Sequence, residues 1–195
     1  MNVPNMLTLS RLGLAAIMMA LLTISFPFAK SLALLVFVIA GITDYLDGYL
    51  ARSGHGVTAF GRLMDPLTDK VLVCAAFVSF VELRLVPAWI AVVIISREFL
   101  VTGLRLLAAS KGEIVSAGKW GKHKTVWQIV AIVALLLGTA VRHDVLRGSP
   151  EKLLQNYDFC FGYISLAISA AVAAITLASG LLYFQEHRDL LQGKD

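Results

Sequence analysis

Four aspartates lie within 26 consecutive residues of a chain whose other long segments are apolar: Asp44, Asp47, Asp65 and Asp69. Carboxylate oxygens grouped in this way are the ligands that hard divalent cations such as Mg²⁺ take in proteins. If the apolar segments cross a bilayer, each aspartate at mid-depth costs about 2.5 to 3.5 kcal/mol, so the four need a cation or a polar cavity. The sequence therefore predicts a metal site with room for one or two cations.

The spacing of the aspartates predicts two helix faces. At 100° per residue, Asp44 and Asp47 fall within an arc of about 100° on one helix, and Asp65 and Asp69 fall within a similar arc on the next. One stripe of carboxylates can therefore face the other. Mg²⁺ fits this arrangement because it keeps water and substrate phosphate oxygens as further ligands.

Histidine and cysteine do not join the acidic cluster, which disfavours zinc. His55 lies between the two stripes and is interpreted as a solvated loop residue. Cys74 and Cys160 lie in apolar runs without a metal-binding or redox spacing, and they are interpreted as small buried hydrophobic residues.

The composition predicts an all-α integral membrane protein, since 58% of the 195 residues are hydrophobic and only 15% are charged. A span needs about 20 apolar residues. Six segments qualify as transmembrane helices, at approximately 6–26, 31–52, 65–83, 86–108, 124–142 and 159–184. The short connections leave no room for a soluble domain, so residues 1–195 are expected to form a single transmembrane domain, with 1–10 as an interfacial N-terminal segment.

Lysine and arginine near the span ends predict the orientation. Their excess on one side places both termini and the acidic cluster in the cytoplasm. This topology accounts for Lys111, Lys119 and Lys124. The net charge of +4 is attributed to topology and anionic headgroups rather than to nucleic acid.

The aspartates belong to a longer pattern, D-x2-D-G-x2-A-R-x8-G-x3-D-x3-D. Its glycines leave volume for a planar base or a pyrophosphate, and Arg52 can clamp a phosphate. The pattern resembles the signature of the CDP-alcohol phosphotransferase family and matches it at all eight fixed positions. The resemblance implies a six-helix membrane enzyme, usually a homodimer, that cleaves a CDP-linked donor at its pyrophosphate and releases CMP.

The resemblance also implies roles for individual residues. Asp44, Asp47, Asp65 and Asp69 would bind two Mg²⁺ ions, with Mn²⁺ as the alternative, and Asp69 would be the general base. The residues that would contact the CDP-linked donor are Asn5, Thr8, Gly48, Ala51, Arg52, Thr58 and Gly61.

Three further segments indicate the acceptor alcohol. NVPNMLTLSR at 2–11, GRLMDPLTDK at 61–70, and SREFLVTGLR at 96–105 with GKHKT at 121–125 resemble bacterial members that use glycerol 3-phosphate. The implied reaction transfers a phosphatidyl group from CDP-diacylglycerol to glycerol 3-phosphate and yields phosphatidylglycerol phosphate and CMP. The implied location is the bacterial inner membrane, with several spans and the active site facing the cytoplasm.

The charge of the acceptor supports this choice. Glycerol 3-phosphate brings a dianion that needs cations, and we expect Arg97, Arg105 and Lys122 to bind its phosphate. Inositol phosphate would use similar cations, and serine or phosphatidylglycerol remain alternative acceptors. A cation transporter would also use intramembrane aspartates, but a cation path has no use for the glycines and Arg52.

Overall fold

The computed structural model describes the backbone of residues 3–51, 59–110 and 119–186, and the side chains of 10–43, 70–109 and 124–185. All regular structure in these ranges is helical, which confirms the all-α prediction. The α-helices are α1 (Val3–Thr23), α2 (Ala29–Ala51), α3 (Ala59–Glu82), α4 (Ala88–Ser110), α5 (Lys119–Ala140) and α6 (Glu151–Glu186), and α5 continues into a π-helical turn over Val141–Val145. Each of the six predicted segments overlaps one helix.

Backbone conformation and proline mark the turns between helices. Phe28, Arg84 and Gly148 have φ of 64°, 58° and 86°, in the left-handed region where a right-handed helix cannot continue. Pro87 and Pro150 then precede α4 and α6, where the missing proline N–H costs no hydrogen bond. The carbonyls of these prolines accept from Ile90 N at 3.0 Å and Leu153 N at 2.9 Å, which starts the two helices.

The core joins the helices that carry the charged residues of interest. α1 packs against α2 and α3, α5 packs against α2 and α6, and α4 packs against α3 and α6. The rings of Phe77 and Phe80 on α3 meet edge to face, with centroids 6.2 Å apart. Ile94 of α4 and Leu135 of α5 are fully buried in the same apolar cluster. Losing one such side chain costs about 2 to 5 kcal/mol, so the positions of α3, α4 and α5 are strongly fixed.

The outer surface is apolar, as expected of a protein in lipid. Within the described residues, two stretches are long and apolar enough to cross a membrane, Lys124–Val145 and Glu151–Gln185. Apolar stretches that are shorter occur on α1 (Ser10–Thr23) and α2 (Ala29–Thr43). Exposed apolar side chains occur on every one of these helices and on α4, among them Ile17, Leu35, Val92, Val130 and Leu181. The helices and this surface indicate a membrane protein.

The apolar exterior corrects the interpretation of the cysteines. Cys74 is half-buried on α3, whereas Cys160 is exposed on α6. The prediction of burial is therefore wrong for Cys160, because an apolar sequence context does not imply burial in a chain whose surface is itself apolar.

Successive helices run in opposite directions, so their termini gather at two ends of the bundle. The motif end contains residues 44–51 of α2, 59–70 of α3, 97–105 of α4, 124–128 of α5 and 176–183 of α6. The opposite end contains residues 22–31, 80–90 and 139–158. A cavity at the opposite end is lined by residues of α1, α2, α3, α6 and the π-helical turn, together with residues of the connections between them.

Candidate active site

The acidic motif occupies two helices that are consecutive in the chain. The backbone places Asp44 and Asp47 in the last turns of α2, and Asp65 and Asp69 in the first turns of α3. Both pairs therefore have the helical spacing on which the two-face prediction depends. The four side chains lie outside the described residues. The set offers only carboxylate oxygens, the donors that Mg²⁺ prefers, so its chemistry fits the predicted ion.

The predicted donor-binding residues lie on helices that are mutual neighbours. Asn5 and Thr8 are on α1, Gly48 and Ala51 are on α2, and Gly61 is on α3. α1 packs against both α2 and α3. Residues 52–58, which include Arg52, Thr58 and His55, lie outside the described residues, as do the side chains of 1–9 and 44–69. Residues 3–10 belong to the same continuous helix as 11–23, and the predicted interfacial position of 1–10 stays a prediction.

A buried carboxylate, Glu98 on α4, connects three helices beside the motif. It is 3% exposed. Its carboxylate pairs with Lys70 Nζ of α3 at 3.1 Å and with Lys124 Nζ of α5, and it accepts a hydrogen bond from Gln128 Nε2 at 3.2 Å. A buried charge is tolerated only when it is paired and hydrogen-bonded. Since Lys70 directly follows Asp69, Glu98 fixes α4 and α5 against the turn of α3 that carries the motif.

Sequence reasoning missed this connection. It attributed Lys124 to topology, whereas the structure buries Lys124 at 2% exposure. Arg97 Nη1 also lies 3.7 Å from Glu98 Oε1. The sequence did contain one indication of this contact: Lys124 and Gln128 are four residues apart and therefore lie on one face of α5.

Arg97 retains unused hydrogen-bonding capacity. Its Nη2 donates to Ser179 Oγ of α6 at 3.0 Å. Its Nε is buried and has no hydrogen-bond partner among the described residues. A guanidinium has five N–H donors, and a buried donor without a partner costs about 1 to 3 kcal/mol. Arg97 can therefore bind an anion at little further cost in desolvation.

Arg105 lies eight residues further along α4, or about 12 Å along the helix axis. Its Cζ is 5.3 Å from the centroid of the Tyr183 ring of α6, a cation–π distance. Its Nε is also buried without a hydrogen-bond partner in the part of the chain that the structure describes. Lys122, the third predicted phosphate-binding residue, is on α5, and its side chain lies outside the described residues.

The described side chains around Glu98 carry an excess of positive charge. Lys70, Arg97 and Lys124 surround one carboxylate, that of Glu98, and Arg105 lies about two turns further along α4. Among the described side chains, no group of three or more His, Cys, Asp or Glu residues could hold a metal ion. This part of the motif end is therefore suited to an anionic ligand rather than to a cation.

Comparison with known proteins agrees with the motif. A family model described as CDP-alcohol phosphatidyltransferase matches residues 1–182. The chain belongs to this family. The match includes all four aspartates, Glu98 and both arginines, and the resemblance that the sequence pattern indicated is confirmed.

Bacterial members of the family align along most of the chain. A protein of Bacillus subtilis (strain 168) is 41% identical over 203 residues, which cover 98% of this chain and 97% of that protein. One from Cereibacter sphaeroides is 38% identical over 210 residues, 95% of each chain. One from Rickettsia bellii is 38% identical over 138 residues, 71% of this chain and 76% of its own. All three are named CDP-diacylglycerol--glycerol-3-phosphate 3-phosphatidyltransferase.

Proposed function

We propose that this family member transfers the phosphatidyl group of CDP-diacylglycerol to sn-glycerol 3-phosphate, giving phosphatidylglycerol phosphate and CMP. The proposal depends above all on Arg97 and Arg105, two partly buried arginines whose Nε donors are buried and have no described partner. An acceptor that carries a phosphate dianion supplies the oxygens that such donors need. Relatives aligned over nearly the whole chain carry the name of this reaction.

The acceptor site proposed here consists of Arg97, Arg105 and Lys122. Arginine binds phosphate with two parallel N–H donors, which fixes the orientation of the ligand as well as its charge. Serine carries no phosphate, and the charge of its single carboxylate is offset by its own ammonium group, so it would neutralise these cations less well than a phosphate dianion. Inositol phosphate would satisfy the three cations equally, so an acceptor assay must include it.

The donor site proposed here lies on α1, α2 and α3. Asp44, Asp47, Asp65 and Asp69 would hold two Mg²⁺ ions, or Mn²⁺ in their place, which would neutralise the pyrophosphate and the leaving CMP. The residues that would line the cytidine and pyrophosphate pocket are Asn5, Thr8, Gly48, Ala51, Arg52, Thr58 and Gly61. The packing of α1 on both α2 and α3 supports this assignment.

The proposed positions of the two substrates determine the course of the reaction. A hydroxyl oxygen of glycerol 3-phosphate attacks the phosphorus that carries diacylglycerol, and the bond from that phosphorus to the CMP oxygen breaks. The carboxylate of Asp69 accepts the hydroxyl proton. Arg97 and Arg105 hold the acceptor phosphate so that the hydroxyl stays near the reacting phosphorus, which lowers the entropic part of the barrier.

We further propose that all six helices cross the bacterial inner membrane and that residues 1–195 form one catalytic domain, with 1–10 in the interface. The helices are 21 to 36 residues long, which is enough to span a hydrocarbon core of about 30 Å. α2 and α3 are less apolar because they carry the motif. The lysine and arginine asymmetry supports a cytoplasmic active site. Membrane lipids and a second copy of the chain are the proposed partners, and nucleic acid is not.

An acceptor assay tests the reaction. The purified protein is given CDP-diacylglycerol and Mg²⁺ with glycerol 3-phosphate, inositol phosphate, serine or phosphatidylglycerol in turn, and CMP is measured. We expect rapid CMP release with glycerol 3-phosphate alone. Faster release with another alcohol would contradict the proposed acceptor. No release with any alcohol, together with ion flux in vesicles, would favour a cation transporter.

The role of Asp69 has a direct test with a matched control. Asp69→Asn keeps the size of the side chain but removes its charge and its basicity, so we expect CMP release to fall at least about 100-fold. Asp158→Asn makes the same chemical change at the opposite end of the bundle and should keep activity within about twofold. Both proteins should elute as folded proteins of unchanged size. Near-native turnover of folded Asp69→Asn would contradict the assignment.

A further inference from the structure

The last part of α6 contacts both arginines of the proposed acceptor site. The family match ends at residue 182, and the sequence patterns gave this part of α6 no function. Yet Ser179 binds Arg97, and Tyr183 lies against Arg105. Residues 176–183 of α6 thus form one side of the region in which the two guanidiniums lie.

The hydroxyl of Ser179 is fixed on both sides. Its Oγ accepts from Arg97 Nη2 at 3.0 Å and donates to the carbonyl of Thr176 at 3.0 Å. Ser179 is 5% exposed. A buried hydroxyl whose proton is committed to a carbonyl has only its lone pairs to offer, so it orients the guanidinium as a fixed acceptor.

Gly180 allows Arg97 to approach α6 closely. A Cβ at this position would lie 3.0 Å from Arg97 Cγ and 3.6 Å from its Nε. Any larger residue would therefore displace the arginine stem or the helix. The absence of a side chain at Gly180 determines where the guanidinium of Arg97 can lie.

Tyr183 restricts Arg105 in a different way. The tyrosine is 6% exposed and packs with Val101 and Leu104 of α4, which hold its ring in place. A ring face 5.3 Å from Cζ favours a limited set of guanidinium orientations. Arg105 is thus oriented through a ring, whereas Arg97 is oriented through a hydroxyl.

We propose that Ser179, Gly180 and Tyr183 are positioning residues that orient Arg97 and Arg105 toward the phosphate of the acceptor and thereby set the affinity for that substrate. This inference rests on the proposed function, in which the two arginines bind glycerol 3-phosphate. The three residues act through the arginines and do not touch the reacting atoms. Their loss should therefore weaken acceptor binding and leave donor binding unchanged.

The test compares two serines of the same helix. Ser169 is also buried, and its Oγ donates to the carbonyl of Leu166 at 3.0 Å, the same local bond that Ser179 makes to Thr176. CMP release is measured against glycerol 3-phosphate at saturating CDP-diacylglycerol, and then with the roles reversed. We expect Ser179→Ala to raise KM for glycerol 3-phosphate roughly tenfold, the effect of losing one hydrogen bond to a charged group. KM for CDP-diacylglycerol should stay within about twofold, and Ser169→Ala should change neither value.

Tyr183 supplies an independent pair of variants. Tyr183→Leu removes the ring and should raise KM for glycerol 3-phosphate roughly fivefold, whereas Tyr183→Phe keeps the ring and should stay within about twofold of the unaltered protein. In an Arg97→Gln background, Ser179→Ala should have no further effect, because the residue through which it acts is gone. If Ser179→Ala does not fold, the comparison of Tyr183→Leu with Tyr183→Phe tests the positioning role.

The outcomes separate this inference from the proposed function. An unaltered protein that uses another alcohol overturns the proposed function, and the inference fails with it. A protein that uses glycerol 3-phosphate while Ser179→Ala and Tyr183→Leu leave its KM unchanged overturns only the positioning role. Equal increases in both KM values would also overturn it, because they indicate a general structural defect.

Discussion

The two ends of the bundle both carry charged side chains, but these side chains have different partners. At the opposite end, Lys30 Nζ donates to the carbonyls of Leu21 at 3.3 Å and Leu22, in the last turn of α1, and to that of Ile24 at 3.1 Å, just after it. Asp144 accepts from both N and Oγ of Ser31, each at 2.7 Å, in the first turn of α2. These two charges satisfy backbone groups that a helix terminus leaves without partners.

At the motif end, two arginines keep N–H donors that no described residue uses. Arg97 and Arg105 each have a buried Nε without a partner in the described residues. Glu98 fixes Lys70 and Lys124 in place without occupying the Nε of Arg97. Charge that closes a helix terminus serves the fold, whereas the unused donors of the two arginines are what the proposed acceptor site requires.

A cavity at the opposite end does not alter this contrast. The opposite end encloses a cavity of about 540 Å³, with Lys30, Asp144 and Arg142 in its lining. Each of these charges already has a partner within the protein: Arg142 binds Asp158, with Nη2 2.8 Å from Oδ2. These three charges are therefore already satisfied by the fold.

The largest difference in activity between the two ends is expected when an arginine is replaced by glutamine at each end. Arg97→Gln removes a guanidinium from the proposed acceptor site, and we expect kcat/KM for glycerol 3-phosphate to fall about 100-fold, or about 2.7 kcal/mol. Arg142→Gln should keep kcat/KM within about twofold. Steady-state CMP release measures both. Equal losses in the two variants would remove the functional distinction between the ends.

A smaller activity effect but a large stability effect is expected at Glu98. Glu98→Gln leaves Lys124 buried without its carboxylate, and losing one partner of a buried pair costs about 3 to 5 kcal/mol. Adding Lys124→Met should recover at least about half of that loss, because the unpaired charge is then gone. Denaturant unfolding in mixed micelles measures both free energies. A cost below about 1 kcal/mol for Glu98→Gln would show that solvent or other groups replace the carboxylate.

The sequence predicted the helices well, because periodic apolar residues and prolines act locally. The segments predicted at 86–108 and 124–142 correspond closely to α4 and α5. The prediction for the last helix began at 159, whereas α6 begins at Glu151. The first turns of α6 are polar and exposed, so hydropathy does not register them, although Pro150 marks the start.

The candidate site was predictable only where it follows a local pattern. Asp44 to Asp69 form a continuous motif, so one sequence suffices to recognise them. The contacts of Glu98 and Ser179 depend on which helices are neighbours, and no local pattern encodes that. Arg97 was identified because the phosphate of the expected acceptor needs cations, but its partner on α6 lies 82 residues away.

The smallest expected effects distinguish two acidic residues at the opposite end. Asp144→Ala removes the acceptor for two hydrogen bonds in the first turn of α2 and should lower the free energy of unfolding by about 1 to 2 kcal/mol. The side chain of Asp158 is 51% exposed, and an exposed ion pair contributes about 0 to 1 kcal/mol, so Asp158→Ala should cost less. Thermal unfolding measures this order, and CMP release should stay within about twofold for both. Asp144 caps a helix far from the motif end, so its loss alone should not change turnover. A loss of activity above about tenfold in a stably folded Asp144→Ala variant would therefore mean that the opposite end takes part in the reaction.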